Sequence, residues 1–291
     1  LSDALPAILN IALDYVFIFP LHMGLKGAAI ASVLGTLSGA LMVLYYMLHK
    51  SKQLHLYRLK HTMKSFLLTM RNIIYMCRVG LSGLMNECGI ALMVLVGNRV
   101  IVHYLGEDGV AAYSVICYLF PLIYAINNAV SQSAQPILSY NYGAGDDQRV
   151  RQTLAFSMLI SLLCGIVLSM VFASVSEAIV SLFVSSRSSA YPLAVRGLRL
   201  FAAGIVFMAV NMCCIGYYQS VHRETTANRI TLLRSFLFTT ILFIALPMLI
   251  GNDGLWLAIP AAECLTFLLI ALLLLLRRDA HIPARSSRPT S

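Results

Sequence analysis

This sequence has little charge. Asp, Glu, Lys and Arg together make up 11% of its 291 residues, against 59% hydrophobic. A water-soluble domain of this length needs far more charge to cover its surface, so that class is excluded. The signatures of metal and nucleotide sites are also missing. The seven His residues show neither HxxxH nor HExxH spacing, the seven Cys include no CxxC pair, and no glycine-rich phosphate loop occurs. The cysteines, at 77, 88, 117, 164, 213, 214 and 264, mostly lie inside apolar runs and read as small buried hydrophobes. A basic segment before the first apolar run is absent, which argues against a signal peptide. The start at Leu1 reads instead as a cut inside a larger protein or an artificial boundary.

What is present is apolar sequence in runs of membrane-spanning length. The fold class expected is all-α, a polytopic membrane helix bundle. Eight helices are placed at about 4–20, 27–48, 79–104, 109–137, 153–175, 196–221, 232–250 and 254–276. A basic connector covers 49–72, and its later part, 59–70, reads as an amphipathic helix lying on anionic lipid. Residues 180–184 suggest a short surface helix, and a polar tail occupies 277–291. The net charge of +9 does not indicate nucleic acid, because the basic residues fall between apolar runs. The alternate connections 49–78, 146–151, 222–234 and 277–288 hold 16 of the 21 Lys and Arg, which makes that side cytoplasmic. Arg99 is the one deep cation on this reading.

A short pattern repeats. Pro20, Gly24, Gly27 and Ala31 recur as Pro247, Gly251, Gly254 and Ala258, while Gly24, Gly27, Ala29 and Ser32 recur as Gly106, Gly109, Ala111 and Ser114. Three helical hairpins opening to one side suggest two lobes related by an axis along the membrane normal. Residues 1–48 are then the last two helices of a first lobe and 73–276 a six-helix second lobe, with four helices expected upstream.

The stretch Ser131–Asp147, SQSAQPILSYNYGAGDD, organises the chain. On a helix, Tyr124, Asn128, Ser131 and Gln135 share one sector, with Gln132 beside it. Such polarity near the end of a spanning helix must face protein or water. A lined pathway and polar glue between packed helices are both consistent with it. Pro136 loosens the helix, Asn141–Gly145 ends it, and Asp146 and Asp147 can cap the next. Asn10 and Asp14 lie four apart on one helix face, and an intramembrane carboxylate is a functional candidate by default. Glu87 is a second deep carboxylate, sharing a face with Gly83, Val94 and Asn98; an ion pair with Arg99 is its structural alternative, although about 18 Å of helix separates them. For Glu263 a hydrogen bond to a neighbouring helix is preferred. Gly204, Asn211 and Tyr218 lie seven apart and read equally as cavity lining or packing seam.

With these residues in view, the sequence resembles the multidrug and toxin extrusion (MATE) family of cation-coupled antiporters. AQPILSYNYGAGD at 134–146, NIALDYVFIF at 10–19 with GLKGAAIAS at 24–32, and GEDGVAAYSV at 106–115 carry the resemblance. It implies twelve helices in two lobes, of which this chain holds the last eight. It also implies a cation site to which Asn10 and Asp14 would contribute, with Ser32 where the family usually has Thr, and a deep Glu similar in kind to Glu87. The function so implied is H⁺- or Na⁺-coupled export of amphipathic organic cations across the inner membrane of a bacterium by alternating access. No cofactor beyond the coupling ion, no catalysis, no metal site, no nucleic-acid partner and a monomeric state go with it. The alternative within the superfamily is a flippase for lipid-linked oligosaccharide, which needs several Arg or Lys in the cavity to meet a pyrophosphate.

Overall fold

Three glycines set where the chain turns. Gly24, Gly106 and Gly251 all have positive φ, at 53°, 63° and 69°. Gly106 and Gly251 combine it with ψ of −153° and −148°, a backbone region open essentially to glycine alone. These are the equivalent positions of the repeat. Their partners three residues on are tight as well: a Cβ on Gly27 would lie 2.9 Å from Phe17 Cβ, and one on Gly254 would collide with the Leu246 carbonyl. The repeated glycines therefore perform the same two tasks each time, reversing the chain and letting the returning helix close on the outgoing one.

The computed structural model describes residues 4–50 and 62–278. Among them every element is helical. The helices are α1 (Ala4–Ile18), α2 (Gly24–His49) and a stretch Met63–Ala144 that Gly106 breaks into α3 (63–105) and α4 (107–144). There follow α5 (Asp147–Ser174), α6 (Ser176–Ser181), α7 (Ala190–Ala202), α8 (Ile205–Ser220), α9 (Glu224–Ile250) and α10 (Asp253–Arg278). Five helical stretches are long and apolar enough to cross a membrane, and α7 with α8, bent by 45°, form a sixth pass. The Gly106 break divides one of the five in two, and α1 is a shorter apolar helix. Each of the eight expected passes thus has its helix.

Several boundaries differ from expectation. The fourth pass runs beyond Pro136 to Ala144, where Gly145 at φ 77° ends it. Asp146 then caps α5, its carboxylate accepting from the Arg149 amide at 3.0 Å. The short helix after α5 is Ser176–Ser181 rather than 180–184. The seventh pass begins at Glu224, eight residues early, because an acidic first turn suits a helix N-terminus and extends it through ETTANRITL. Helical structure ahead of the third pass starts at Met63; the connector at 51–61 and the tail beyond 278 lie outside the described residues.

The chain divides into two compact units, Leu1–Met70 and Arg71–Ser291. In the first, α1 and α2 pack through Gly27, Ala31 and Gly35, the buried residues of α2, spaced four apart. Small side chains let the two backbones approach, which is how apolar helices associate where lipid is as apolar as leucine. Large side chains such as Ile8, Ile11, Leu25 and Leu41 point outward. In the second unit the core gathers near the end bearing the Gly106 and Gly251 turns. Tyr113, Phe120, Phe201, Phe243 and Trp256 fill it with Ile101, Ile116 and Leu198. The Tyr113 hydroxyl donates to the Met93 carbonyl at 3.1 Å, so its polar atom is satisfied. Two ion pairs pin the same end, Arg196 to Asp253 at 2.6 Å and Arg199 to Glu177 at 2.7 Å. At the opposite end of this unit a cavity separates part of α3 from α4 and α8, while α4, α5 and the end of α8 pack through Ala134, Leu138, Val150 and Val221.

Candidate functional site

Between the separated helices of the second unit lies a cavity of about 970 Å³. Tyr75, Met76, Val79, Gly80, Gly83, Asn86 and Glu87 of α3 form one wall. A second comes from Tyr124, Asn128, Ser131, Gln132, Gln135, Pro136 and Ser139 of α4, and a third from Met212, Ile215, Gly216, Gln219 and Ser220 of α8. His222, Thr231 and Arg234 complete the lining. The cavity reaches the end of the bundle at Ser139, Ser220 and His222, the end that also carries Arg149, Arg151 and Arg223. There Tyr75 Oη and His222 Nδ1 are hydrogen-bonded at 2.6 Å.

The polar sector of α4 does two jobs. Ser131 donates to the Met212 carbonyl at 3.1 Å, Gln135 Nε2 to Gln219 Oε1 at 3.2 Å, and Ser139 to the Ser220 carbonyl at 3.4 Å. Gly216 makes this possible, because a Cβ there would collide with the Ser131 hydroxyl. These three residues bind α4 to α8. Tyr124, Asn128 and Gln132 border the same cavity without such a bond to α8, and Gln132 is exposed. The two readings of the sector, lining and glue, therefore each hold for part of it.

At the cavity wall sits a buried ion pair, with Arg234 in the lining and Glu263 outside it. Arg234 and Glu263 have side chains only 6% exposed each and meet at 2.7 Å. Arg234 Nε donates to both Glu263 oxygens, at 2.8 and 3.0 Å, and its Nη1 contacts Asn86 Oδ1 at 3.4 Å. Asn211 Nδ2 donates to Glu263 Oε2 at 2.8 Å and to the Glu263 carbonyl at 2.9 Å. Each charge lies ten residues beyond the first residue of its helix, about 15 Å along it, and so well inside an apolar helical stretch. A buried pair is tolerable only with such extra hydrogen bonds. Arg234 is the second residue of a π-helical segment, Leu233–Phe238, and its carbonyl accepts from the Thr239 hydroxyl at 2.8 Å, which satisfies a group that the widened turn disturbs. Beside it Gly89 admits Ser235, where a Cβ would collide. A chamber of about 30 Å³, large enough for one water, lies against Asn86, Arg234, Ser235, Thr239 and Glu263.

Glu87 is exposed on the cavity wall and makes no hydrogen bond or ion pair with another described residue, Arg99 included. Tyr124 lines the same cavity as Glu87 and Arg234. Asn98, Asn211 and Tyr218 are not on the wall. Asn98 is half-buried with its Oδ1 enclosed, Asn211 is fully buried against Glu263, and Tyr218 packs with Ile230 and Ile270. In the first unit Asn10 Nδ2 donates to Ser32 Oγ at 3.4 Å, and the half-buried Asp14 follows one turn along α1. Asp14 Oδ1 is enclosed with no hydrogen-bond partner among the described residues.

Sequence reasoning missed Arg234, which it assigned to the cytoplasmic connection at 222–234, and so named Arg99 the one deep cation. The error follows from starting the seventh pass at 232; the acidic turn at Glu224 was the signal available. It also missed Asn86, His222 and Asn127, the last only 1% exposed with both amide atoms unpartnered. Single Asn residues inside apolar runs carry no periodic signal.

Solved transporters share this fold. The chain matches an outward-facing multidrug resistance MATE family transporter of the MOP superfamily with TM-score 0.83 and 18% identity, covering 95% of this chain and 61% of that one. A MOP superfamily transporter from Pyrococcus furiosus matches with the same TM-score, identity and coverage. Among sequences, the multidrug export protein MepA of Staphylococcus aureus (strain NCTC 8325 / PS 47) is 23% identical over 272 residues, 93% of this chain and 58% of MepA. The probable multidrug resistance protein YoeA of Bacillus subtilis is 23% identical over 190 residues, 63% of this chain and 40% of YoeA. The chain thus spans about three fifths of the length of MepA and of the two solved transporters. The MatE family model covers residues 84–244, more than half of the sequence and most of the cavity-forming helices, and this multi-pass membrane chain belongs to that family.

Proposed function

We propose that the chain is the cavity-bearing part of an exporter that moves amphipathic organic cations out of a bacterial cell, driven by inward flow of H⁺ or Na⁺. The observation that carries this reading is Glu87, a carboxylate without a cationic partner on the wall of a cavity of about 970 Å³. That volume suits a drug-sized molecule. Tyr75 and Tyr124 offer aromatic faces to a cation, and Met76 and Met212 an adaptable apolar surface. The similarity to MepA, a multidrug export protein, supports the substrate class. The cavity reaches the Lys- and Arg-rich end of the bundle, the cytoplasmic side by the positive-inside rule, as an inward-facing state of an alternating-access carrier in the cytoplasmic membrane requires. No step of this work calls for bond-making chemistry.

Coupling is assigned to Asp14, with Asn10 and Ser32 holding its ion. What supports this is an intramembrane carboxylate whose Oδ1 is enclosed with no hydrogen-bond partner among the described residues, one turn from Asn10 and its partner Ser32. The test is ethidium efflux by the full-length transporter, of which this chain is a part, from an efflux-deficient bacterium. Asp14→Asn keeps shape but cannot ionise, and it should abolish export against a gradient while expression is retained. Asn10→Ala should raise the cation concentration needed, and Ser32→Thr should be tolerated. If Asp14→Asn exports as well as wild type while Glu87→Gln is inactive, coupling resides in the second unit and this assignment fails.

The flippase alternative needs free positive charge in the cavity. Arg234 is on the wall, but its pairing with Glu263 uses that charge, so the cation reading is favoured.

A further inference from the structure

Arg234 and Glu263 are placed unequally. Arg234 lines the cavity, whereas Glu263 does not; it sits behind Arg234 in the small inner chamber, also held by Asn211. Seen from the cavity, one fixed cation is cancelled from behind by one hidden anion, and the charge left over is that of Glu87. The sign of the field in the cavity therefore depends on a residue outside it.

We propose that Glu263 determines which sign of ion this cavity accepts, by neutralising Arg234, and that it does so without touching the transported molecule. The proposal rests on the reading of the cavity as the substrate path. Its physical basis is that a guanidinium at a low-dielectric wall acts over several ångströms, while a guanidinium in a bidentate pair with a carboxylate acts as a weak dipole. Tyr124, Glu87 and Arg234 line the same cavity, so a change in the charge of the Arg234–Glu263 pair acts on the space that Glu87 also faces. Glu263 is thus a specificity-determining residue acting through another side chain. Asn211, which donates to Glu263, and Asn86, which contacts Arg234, are positioning residues for the pair.

The test uses two ions of the same shape and opposite charge, tetraphenylphosphonium and tetraphenylborate, with equilibrium binding measured on the purified chain in lipid nanodiscs. Shape and apolar contact cancel in the ratio of the two affinities, leaving the sign of the field. Glu263→Gln keeps the acceptor for Asn211 but frees the charge of Arg234. It should weaken phosphonium binding and strengthen borate binding, each on the order of tenfold. Glu263→Asp keeps the charge and should leave the ratio near that of wild type. Arg234→Met combined with Glu263→Gln removes both charges and should also restore the wild-type ratio within about threefold, since the pair contributes no net charge. A merely structural pair would weaken both ions together in Glu263→Gln, and that result overturns the proposal. If Glu263→Gln yields no folded protein, the double variant decides: retained phosphonium preference supports the proposal, and its loss overturns it. Failure of the export reading looks different: wild-type protein then binds neither ion, whereas failure of this proposal alone leaves wild-type phosphonium binding intact and the ratio unmoved in Glu263→Gln.

Discussion

Replacing Gly251 by alanine isolates the cost of one turn. Gly251 has φ 69° and ψ −148°, and a Cβ placed there meets nothing within 4 Å. The added methyl therefore causes no collision with neighbouring elements, and the whole penalty is backbone strain. For a non-glycine residue in that region it is about 2 kcal/mol. A unit of this size loses roughly 2–4 °C of melting temperature per kcal/mol, so Gly251→Ala should melt about 4–8 °C lower. Gly80 is the matched control. It too has open space around it but lies inside helix α3 without positive φ, and Gly80→Ala should raise the melting temperature by a few degrees, from about 0.5–1 kcal/mol of helix stabilisation. The protein supplies its own reporter in detergent. Cys213 and Cys214 are buried and become reactive to a thiol dye on unfolding, above the baseline from the exposed Cys77 and Cys88. Should Gly251→Ala melt at or above wild type, the chain reversal does not depend on that backbone conformation, and the account of the repeated glycines fails.

Other outcomes follow from the same geometry. In a background lacking Cys77 and Cys88, cysteines at Asn128 and Gln132 should react with a water-soluble thiol reagent, whereas one at Asn211, buried against Glu263, should stay inert; equal reactivity at all three would remove the cavity's boundary. Asp146→Ala loses the cap of α5 and should cost about 1 kcal/mol, read as a fall in melting temperature of roughly 2–4 °C, with Asp146→Asn nearly neutral. A cysteine at Gln148 should be labelled from the cytoplasmic side and one at Asn252 from outside, and the reverse pattern would invert the orientation.

The passes and the turns between them were legible in the sequence because lipid imposes a length and water a composition. Hydrophobic runs gave the eight helices, and Gly24, Gly106 and Gly251 marked three hairpins because few other residues adopt that backbone. The sector on α4 was legible too, since the helical period alone brings Tyr124, Asn128, Ser131 and Gln135 to one side. What each of those side chains does was decided by α8. Gly216 and the carbonyls of Met212 and Ser220 took Ser131 and Ser139 into contacts, and Gln219 took Gln135, leaving Asn128 and Gln132 to the cavity. The Arg234–Glu263 pair depended on tertiary structure entirely. The two residues are 29 apart on different helices, and each looked dispensable alone: Arg234 as one more cation near a helix start, Glu263 as a buried acceptor. Charge patterning counts residues along the chain, whereas burial of a charge depends on which helix supplies its counterion. That partner is chosen only when α9 and α10 pack, and with it the sign of the field in the cavity is set.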